Sequence, residues 1–450
     1  MSLQLHTYGS VCSGIEAASF VLEPLGVKPL WLSEIDDFPS RFLANKYPHI
    51  PNQGDMNDIP QLLQDGKIEA PDLICGGTPC QAFSLAGWKN GLEDHRGQLT
   101  LKYIDILNQV DSIRETIGKQ PARFLWENVE GVLTDKTNAF GCFIAGLAGY
   151  EEPLVVPKWS YAGIVHGKTR NVAWRVMDAK YFGLPQQRRR IYVIGGGRDF
   201  YPENILFETG DVIADPYKPK AKNESTLFAN LFVENEIPNE LTRAINSNEI
   251  EIFRTYTDCL YAAYGTKWNG NAAAFNGSLF VAQNGRLRRL TPVECERLMG
   301  FPDNYTALKG ATLTNRYRAT GNSWAVNVIL WLMRRFVFDN TESPIAGFKD
   351  NVTLLKDFTH IGNGVYLNAS PYPYEYKFAN FLDFIDTNPD EQLYISKAGC
   401  AGILRRKYER NAGMNHRLEI VLKNNTGTHT QSINGLLSHC SDSLRGTATH

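Results

Sequence analysis

Short apolar runs separated by amphipathic stretches dominate the first two hundred residues. Tyr8 to Ser13 reads as a buried strand with its turn, and Ile15 to Leu25 as the helix that follows. Leu30-Trp31-Leu32 leads into Glu34, and helical spacing then runs through Arg41 to Tyr47. Leu73 to Cys75, Phe124 to Trp126 and Ile191 to Ile194 supply further strands. Strands alternating with helices predict an α/β domain built on a mostly parallel, doubly wound sheet.

The pattern changes after about Phe200. Helical periodicity weakens, asparagines and glycines multiply, and Gly265 to Gly277 reads as loops on a small scaffold. Helix returns over Arg316 to Phe338, with Gly321-Asn322-Ser323 as loop and N-terminal cap. Asp339 to Pro344 has linker composition. Beyond it one helix stands out, from about Lys397 to Arg410, and the polar stretch Asn424 to His450 is expected to fray. These shifts divide the chain into residues 1–199, completed by 313–338, then a smaller mixed domain at 200–312 and an extension at 339–450.

Composition narrows the class. The chain has 450 residues, 43% of them hydrophobic, enough for two or three domains with real cores. A net charge of -2 gives no global field for a polyanion, but arginines cluster at 188–190, at 286, 288 and 289, and at 405–406 beside Lys407. Arginine suits forked contacts with phosphate and base edges, although each cluster alone fits a solvated face equally well. The Ile403–Tyr408 helix is better explained by amphipathic packing than by contact with a polyanion. The eight cysteines show no CxxC spacing, so neither a zinc knuckle nor a disulfide framework is expected, and no metal. No basic, apolar leader opens the chain and no run reaches transmembrane length, so a reducing, soluble setting is expected.

Candidate chemistry gathers at strand ends. Asp72-Leu73-Ile74-Cys75-Gly76 runs into Gly77-Thr78-Pro79-Cys80-Gln81, presenting a thiol where open α/β sheets keep their active sites. Phe124-Leu125-Trp126 ends likewise in Glu127, so a nucleophile and an acid stand on two strand ends. The first turn, Gly9-Ser10-Val11-Cys12-Ser13-Gly14, lacks GxGxxG, which argues against a nicotinamide or flavin enzyme. Small residues there, Glu34 after the second strand and Asp55 in Gln53-Gly54-Asp55-Met56 outline an adenosine pocket.

In their order, these segments resemble the DNA cytosine-5 methyltransferase family. The resemblance covers about residues 5–338 and rests on Ser10–Gly14, Glu34, Pro79-Cys80-Gln81 and Glu127-Asn128-Val129. It continues at Gln186-Gln187-Arg188-Arg189-Arg190, Arg289 to Cys295, and Gly321-Asn322-Ser323. It implies a Rossmann-like S-adenosylmethionine-dependent domain, a target-recognition domain and double-stranded DNA as substrate. S-adenosyl-L-homocysteine would be the product. Cys80 would add to carbon 6 of a flipped cytosine, Glu127 would bond ring nitrogen 3 and the exocyclic amine, and Arg188 and Arg190 would hold the carbonyl oxygen. The cofactor would lie against Cys12, Ser13, Gly14 and Ile15, with Glu34 on its ribose. Ile35 and Met56 would flank the adenine, Asp55 would bond it, and Pro79, Leu99, Asn322 and Ser323 would close the methionine side.

The stretch from Cys80 to Leu99 would form a lid, with Ser84 and Arg96 as phosphate contacts. Lys267, Trp268, Asn269, Asn271 and Asn276 are candidates for base contact, or simply for glycine-linked turns. Ala86 stands where some relatives carry a serine, and the first turn departs from the commoner triple-glycine form; Cys12 reads as packing rather than reacting. Two rivals are a tRNA cytosine-5 methyltransferase and a catalytically silent DNA-binding relative. The first expects Cys-Phe-Thr in the recognition region, whereas Cys142-Phe143-Ile144 precedes the arginine motif and lacks the threonine. The resemblance further implies a cytoplasmic, nucleoid-associated monomer of bacterial or phage origin, and leaves open whether a restriction endonuclease is its functional partner or it acts alone to shield phage DNA.

Overall fold

The computed structural model describes residues 5–79, 95–216, 244–245, 249–265, 275–338, 343–345, 348 and 352–426; for 95–98, 244–245 and 265 it describes the backbone alone. In chain order the strands are β1 Thr7–Val11, β2 Lys28–Ser33, β3 Leu73–Gly76, β4 Arg123–Val129, β5 Ala162–His166, β6 Arg170–Asp178, β7 Arg189–Gly197 and β8 Glu208–Gly210. There follow β9 Ala244–Ile245, β10 Ile250–Ile252, β11 Phe280–Gln283, β12 Arg286–Arg289, β13 Thr353–Leu355, β14 Phe358–Gly362 and β15 Val365–Asn368.

The chain forms two compact units. The first comprises Met1–Asp215, Cys259–Gly265 and Glu296–Ala379. Its main sheet runs β13-β5-β6-β7-β4-β3-β1-β2. β2, β1, β3 and β4 are parallel, whereas β4–β7, β7–β6, β6–β5 and β5–β13 are antiparallel. The fold is therefore α/β, but only half of the sheet has the parallel pairing expected. The strand carrying Ile191 to Ile194 runs backwards because β5 and β6 form a hairpin across His166 to Arg170, which β7 extends.

Burial is nearly continuous along β3, β4, β6 and β7, as a sheet covered on both faces requires. Phe124, Trp126, Val172, Trp174, Val176, Ile191 and Val193 share a core with residues of helices His95–Thr116 and Ala139–Ala148, among them Tyr103, Leu107, Phe140 and Phe143. On the β1 side, Tyr8 bonds Ser19 of helix Ala17–Leu22 through their hydroxyls at 2.6 Å, and that helix packs on Val326–Phe338. The helix expected over Arg316–Phe338 is two helices, Leu313–Asn322 and Val326–Phe338. The break falls at Ser323, which takes extended backbone (φ -74°, ψ 167°).

The second unit comprises Pro216–Asp258, Thr266–Cys295 and Asn380–His450. Its sheet, β12-β11-β10-β9, is antiparallel. Helices Lys397–Glu409 and His416–Asn425 bury Cys400, Ile403, Leu404, Leu418, Val421 and Leu422 against Phe253, Phe275, Phe280 and Leu287. Arg288 and Glu294 form a fully buried two-pronged pair there.

These units divide the chain differently from the three segments read off composition. The extension from 339 is not separate: β13 extends the main sheet, β14–β15 pairs with β8, and the helices beyond 396 complete the second core. Composition marks linkers but not which sheet edge a later segment joins. Among the described residues no helix is long and apolar enough to cross a membrane.

Candidate active site

The parallel strands run in the order β2-β1-β3-β4, so the chain leaves β1 towards one side and returns on the other. Crevices at the carboxyl ends of strands about such a switch point are where α/β sheets bind ligands. A cavity of about 480 Å3 opens there. It is lined by the ends of all four strands, including Cys12, Gly14, Glu34, Ile35, Pro79 and Glu127, together with Asp55, Met56, Leu99, Arg188, Arg190 and Asn322. That volume suits a small organic ligand.

The loop after β1 turns through left-handed backbone at Cys12 (φ 50°), Gly14 (φ 58°) and Glu16 (φ 59°). This winding aims the Gly14 N–H at Glu34 Oε2, 2.8 Å away, while Glu34 Oε1 accepts from the Asp36 N–H at 2.7 Å. Two backbone donors thus fix the carboxylate, and each oxygen keeps a further lone pair for a ligand hydroxyl. Ile35 is 73% exposed beside it, an apolar face presented to the cavity. Asp55 is committed in part, since its Oδ1 accepts from the Asn57 N–H and side-chain amide and caps the next turn. The Cys12 sulfur lies 3.6 Å from that of Met56, and burial pushes its thiol up to about 12, so it packs and stays protonated. Ser13, Ile15 and Ser323 are set back from the main cavity. They line a recess of about 30 Å3 that shares Cys12, Gly14 and Asn322 with it.

Glu127 ends up beside Arg190 because β4 pairs antiparallel with β7. Val129 faces Arg190 and Glu127 faces Tyr192, which makes Glu127 and Arg190 diagonal neighbours on one face. Arg190 Nε lies 3.2 Å from Glu127 Oε1. That oxygen is buried and lacks an aligned hydrogen bond, and Glu127 is among the residues that line the cavity. Burial raises the Glu127 carboxyl above its ordinary range, while Arg190 and Arg188 pull it back. Gly77 leaves room for it: a Cβ there would stand 2.9 Å from the Glu127 carbonyl and 3.3 Å from the Trp324 indole nitrogen.

Arg188 behaves differently from the substrate contact expected. Its guanidinium donates to the carbonyls of Leu260, Gly321 and Ser323 and to the Cys259 sulfur. It is buried, and its own N–H donates to Asp178. These contacts make it a clamp that joins β7 to the 259–265 segment and to the Gly321–Ser323 turn.

A family model described as C-5 cytosine-specific DNA methylase matches residues 7–337. The chain belongs to that family. A DNA N-6-adenine-methyltransferase of Escherichia phage P1 is 34% identical over 453 residues, covering 72% of this chain. The match spans only 60% of that relative's length. Type II methyltransferase M.HhaI of Haemophilus parahaemolyticus is 27% identical over 332 residues, covering 71% of this chain and 90% of that protein. Type II methyltransferase M.DsaV of Dactylococcopsis salina is 27% identical over 329 residues, covering 70% and 82%.

Several expected site residues, Cys80, Ser84, Lys267, Trp268, Asn269 and Asn271, lie outside the described residues, as does the side chain of Arg96. Asn276 makes a turn instead of presenting its amide: Nδ2 donates to Asp258, and Oδ1 accepts from the Ser278 N–H. Cys142 is fully buried in its helix. Sequence reading missed Thr78, which anchors the backbone two residues before Cys80. Its hydroxyl accepts from the Trp126 indole and lies 3.0 Å from that of Thr100, and its carbonyl accepts from Asn128. A threonine before Pro79-Cys80 was the available signal. Trp324, which bonds Glu127, and Arg318, paired with Asp36 at the cavity rim, were also missed.

Proposed function

We propose that the methylase transfers a methyl group from S-adenosylmethionine to carbon 5 of a flipped cytosine in a short, specific double-stranded DNA sequence. The observation that carries this reading is one cavity bounded by Glu34 and exposed Ile35 at one end and by the Glu127–Arg190 pair at the other. The first end suits a nucleoside: a carboxylate fixed for hydroxyl contact beside an apolar surface for a base. Asp55 and Met56 add a polar and an apolar contact to the same end. S-adenosylmethionine would supply an electrophilic methyl group.

The second end suits a cytosine ring. Carbon 5 is a poor nucleophile until the Cys80 thiolate adds to carbon 6, forming a carbon–sulfur bond and raising electron density at carbon 5. Glu127 assists by sharing a proton with ring nitrogen 3, and burial favours the protonated carboxyl this requires. Arg190 would balance the carboxylate that remains and meet the carbonyl oxygen at position 2, a role its position beside Glu127 supports. Carbon 5 then takes the methyl group, and loss of its proton breaks the bond to Cys80 and restores the thiolate. Lys267, Trp268 and Asn269 would contact the DNA, with Ser84 and Arg96 on phosphates.

The phage P1 relative, named as an N-6-adenine methyltransferase, supports a second reading, since an exocyclic amine needs no added thiolate. Base-resolved sequencing for both 5-methylcytosine and N6-methyladenine, on plasmid from cells expressing the wild type or Cys80→Ser, separates the two. Methylcytosine in one short context, absent with Cys80→Ser, is the expected result. Methyladenine that survives the substitution would replace the cytosine reading with the adenine one.

A further inference from the structure

We infer that Cys259 is a positioning residue of the active site, whose sulfur holds the Arg190 guanidinium against Glu127; this rests on the cytosine reading above. Cys259 belongs to the short 259–265 segment that joins the first unit. Its sulfur accepts from Arg188 Nη1 at 3.3 Å and from Arg190 Nη2 at 3.4 Å, and lies 3.3 Å from the Leu260 carbonyl. One sulfur thus sits between two cations that would otherwise repel each other.

The two arginines are held very unequally. Arg188 is locked by three backbone carbonyls. Arg190 has its neighbour's carbonyl at Nη1, Glu127 at Nε without hydrogen-bond alignment, and Cys259 at Nη2. The sulfur is therefore the contact that fixes rotation of the Arg190 guanidinium about its own strand. Thiols are weak acceptors for neutral donors, but a polarizable sulfur between two guanidiniums makes charge-assisted contacts. Without it, Arg190 turns away from its neighbouring cation. Glu127 then loses part of the opposing charge that offsets its burial.

Cys259→Val fills the site with a slightly larger apolar side chain and removes the acceptor; Cys259→Ser keeps an acceptor. In the full-length protein, with rates taken per folded molecule, C259V is expected to lower kcat at least tenfold while leaving KM for S-adenosylmethionine within twofold. The limb of the kcat–pH profile set by Glu127 ionisation moves to higher pH by about one unit, because Arg190 no longer holds that carboxyl down. C259S lies between wild type and C259V in both respects. A wild-type kcat and pH profile for C259V, or a C259S no better than C259V, overturns the inference.

A readout independent of activity is guanidinium rotation of Arg190, followed by NMR in nitrogen-15 arginine-labelled protein. Rotation is expected to be slow in wild type and fast in C259V; equal rotation overturns the positioning role. A wild type that shows the rotation contrast but leaves cytosine unmodified sinks the methylation reading and keeps the placement of Arg190.

Discussion

Glu16 offers the sharpest test of the packing beneath the cofactor loop. It is 1% exposed, with Oε1 accepting from the Ser19 N–H and hydroxyl and Oε2 accepting from the Ser10 hydroxyl. Burial raises its carboxyl from 4.5 to about 7 despite those serine contacts. A folded value above the unfolded one means that the fold favours the protonated acid. This contribution is fully present below about pH 4.5, declines as pH rises, and is gone above about pH 7. At about 1.4 kcal/mol per pH unit, the gap between 4.5 and about 7 is worth about 3 kcal/mol. Glu16→Gln mimics the protonated acid, since its oxygen accepts from Ser19 and its amide donates to the Ser10 hydroxyl. The variant is expected to match wild type at pH 4 and to exceed it by about 3 kcal/mol at pH 8. Asp178, raised by burial to about 6, adds a slope of the same sign to both proteins and cancels in the difference. Urea titration with hydrogen-exchange readout on β1 amides, at several pH values, measures that difference where Glu16 sits. A gap that stays constant with pH, or a variant weaker than wild type at pH 8, would refute the reasoning.

Arg188→Met leaves the carbonyls of Leu260, Gly321 and Ser323 buried without their donor. It should cost about 3 kcal/mol in denaturant unfolding and weaken S-adenosylmethionine binding, measured by calorimetry, because the Asn322 turn loosens. Ile35→Ser removes an apolar face without disturbing buried packing, so the cofactor Kd should rise about tenfold with no change in thermal midpoint. Glu127→Gln should lower kcat at least a hundredfold, abolish the pH limb set by that carboxyl and leave cofactor affinity within a few-fold, as read by single-turnover kinetics. Arg175 is fully buried and donates to the carbonyls of Leu206, Ser370 and Tyr372, so Arg175→Met should raise hydrogen exchange across β14 and β15 by at least tenfold.

Strand ends, and the side chains they present, were legible from sequence because a buried strand writes itself as a short apolar run that stops at a polar residue. Glu34 and Glu127 were identifiable in this way, Asp55 and Pro79 from the glycine-containing turns beside them, and all four line one cavity. The reversed strands were not legible, since the apolar content of β5 and β7 is the same whichever way they run. The difference between Arg188 and Arg190 was equally hidden. Adjacent arginines in one motif look alike, but one meets three carbonyls contributed by distant segments and the other meets a carboxylate across a strand pair.

By itself the chain determined where its strands and turns begin, the α/β class, and which residues stand at the carboxyl ends of the parallel strands. Those properties follow from local patterning and short-range backbone preference. Only the tertiary structure decided that Arg188 is a clamp, that Thr78 anchors the approach to Cys80, and that Cys259 lies between two arginines. It also decided that the last segments complete both units. Each of these depends on contacts between residues tens to hundreds of positions apart, and no local pattern encodes which of many compatible partners packing will bring together.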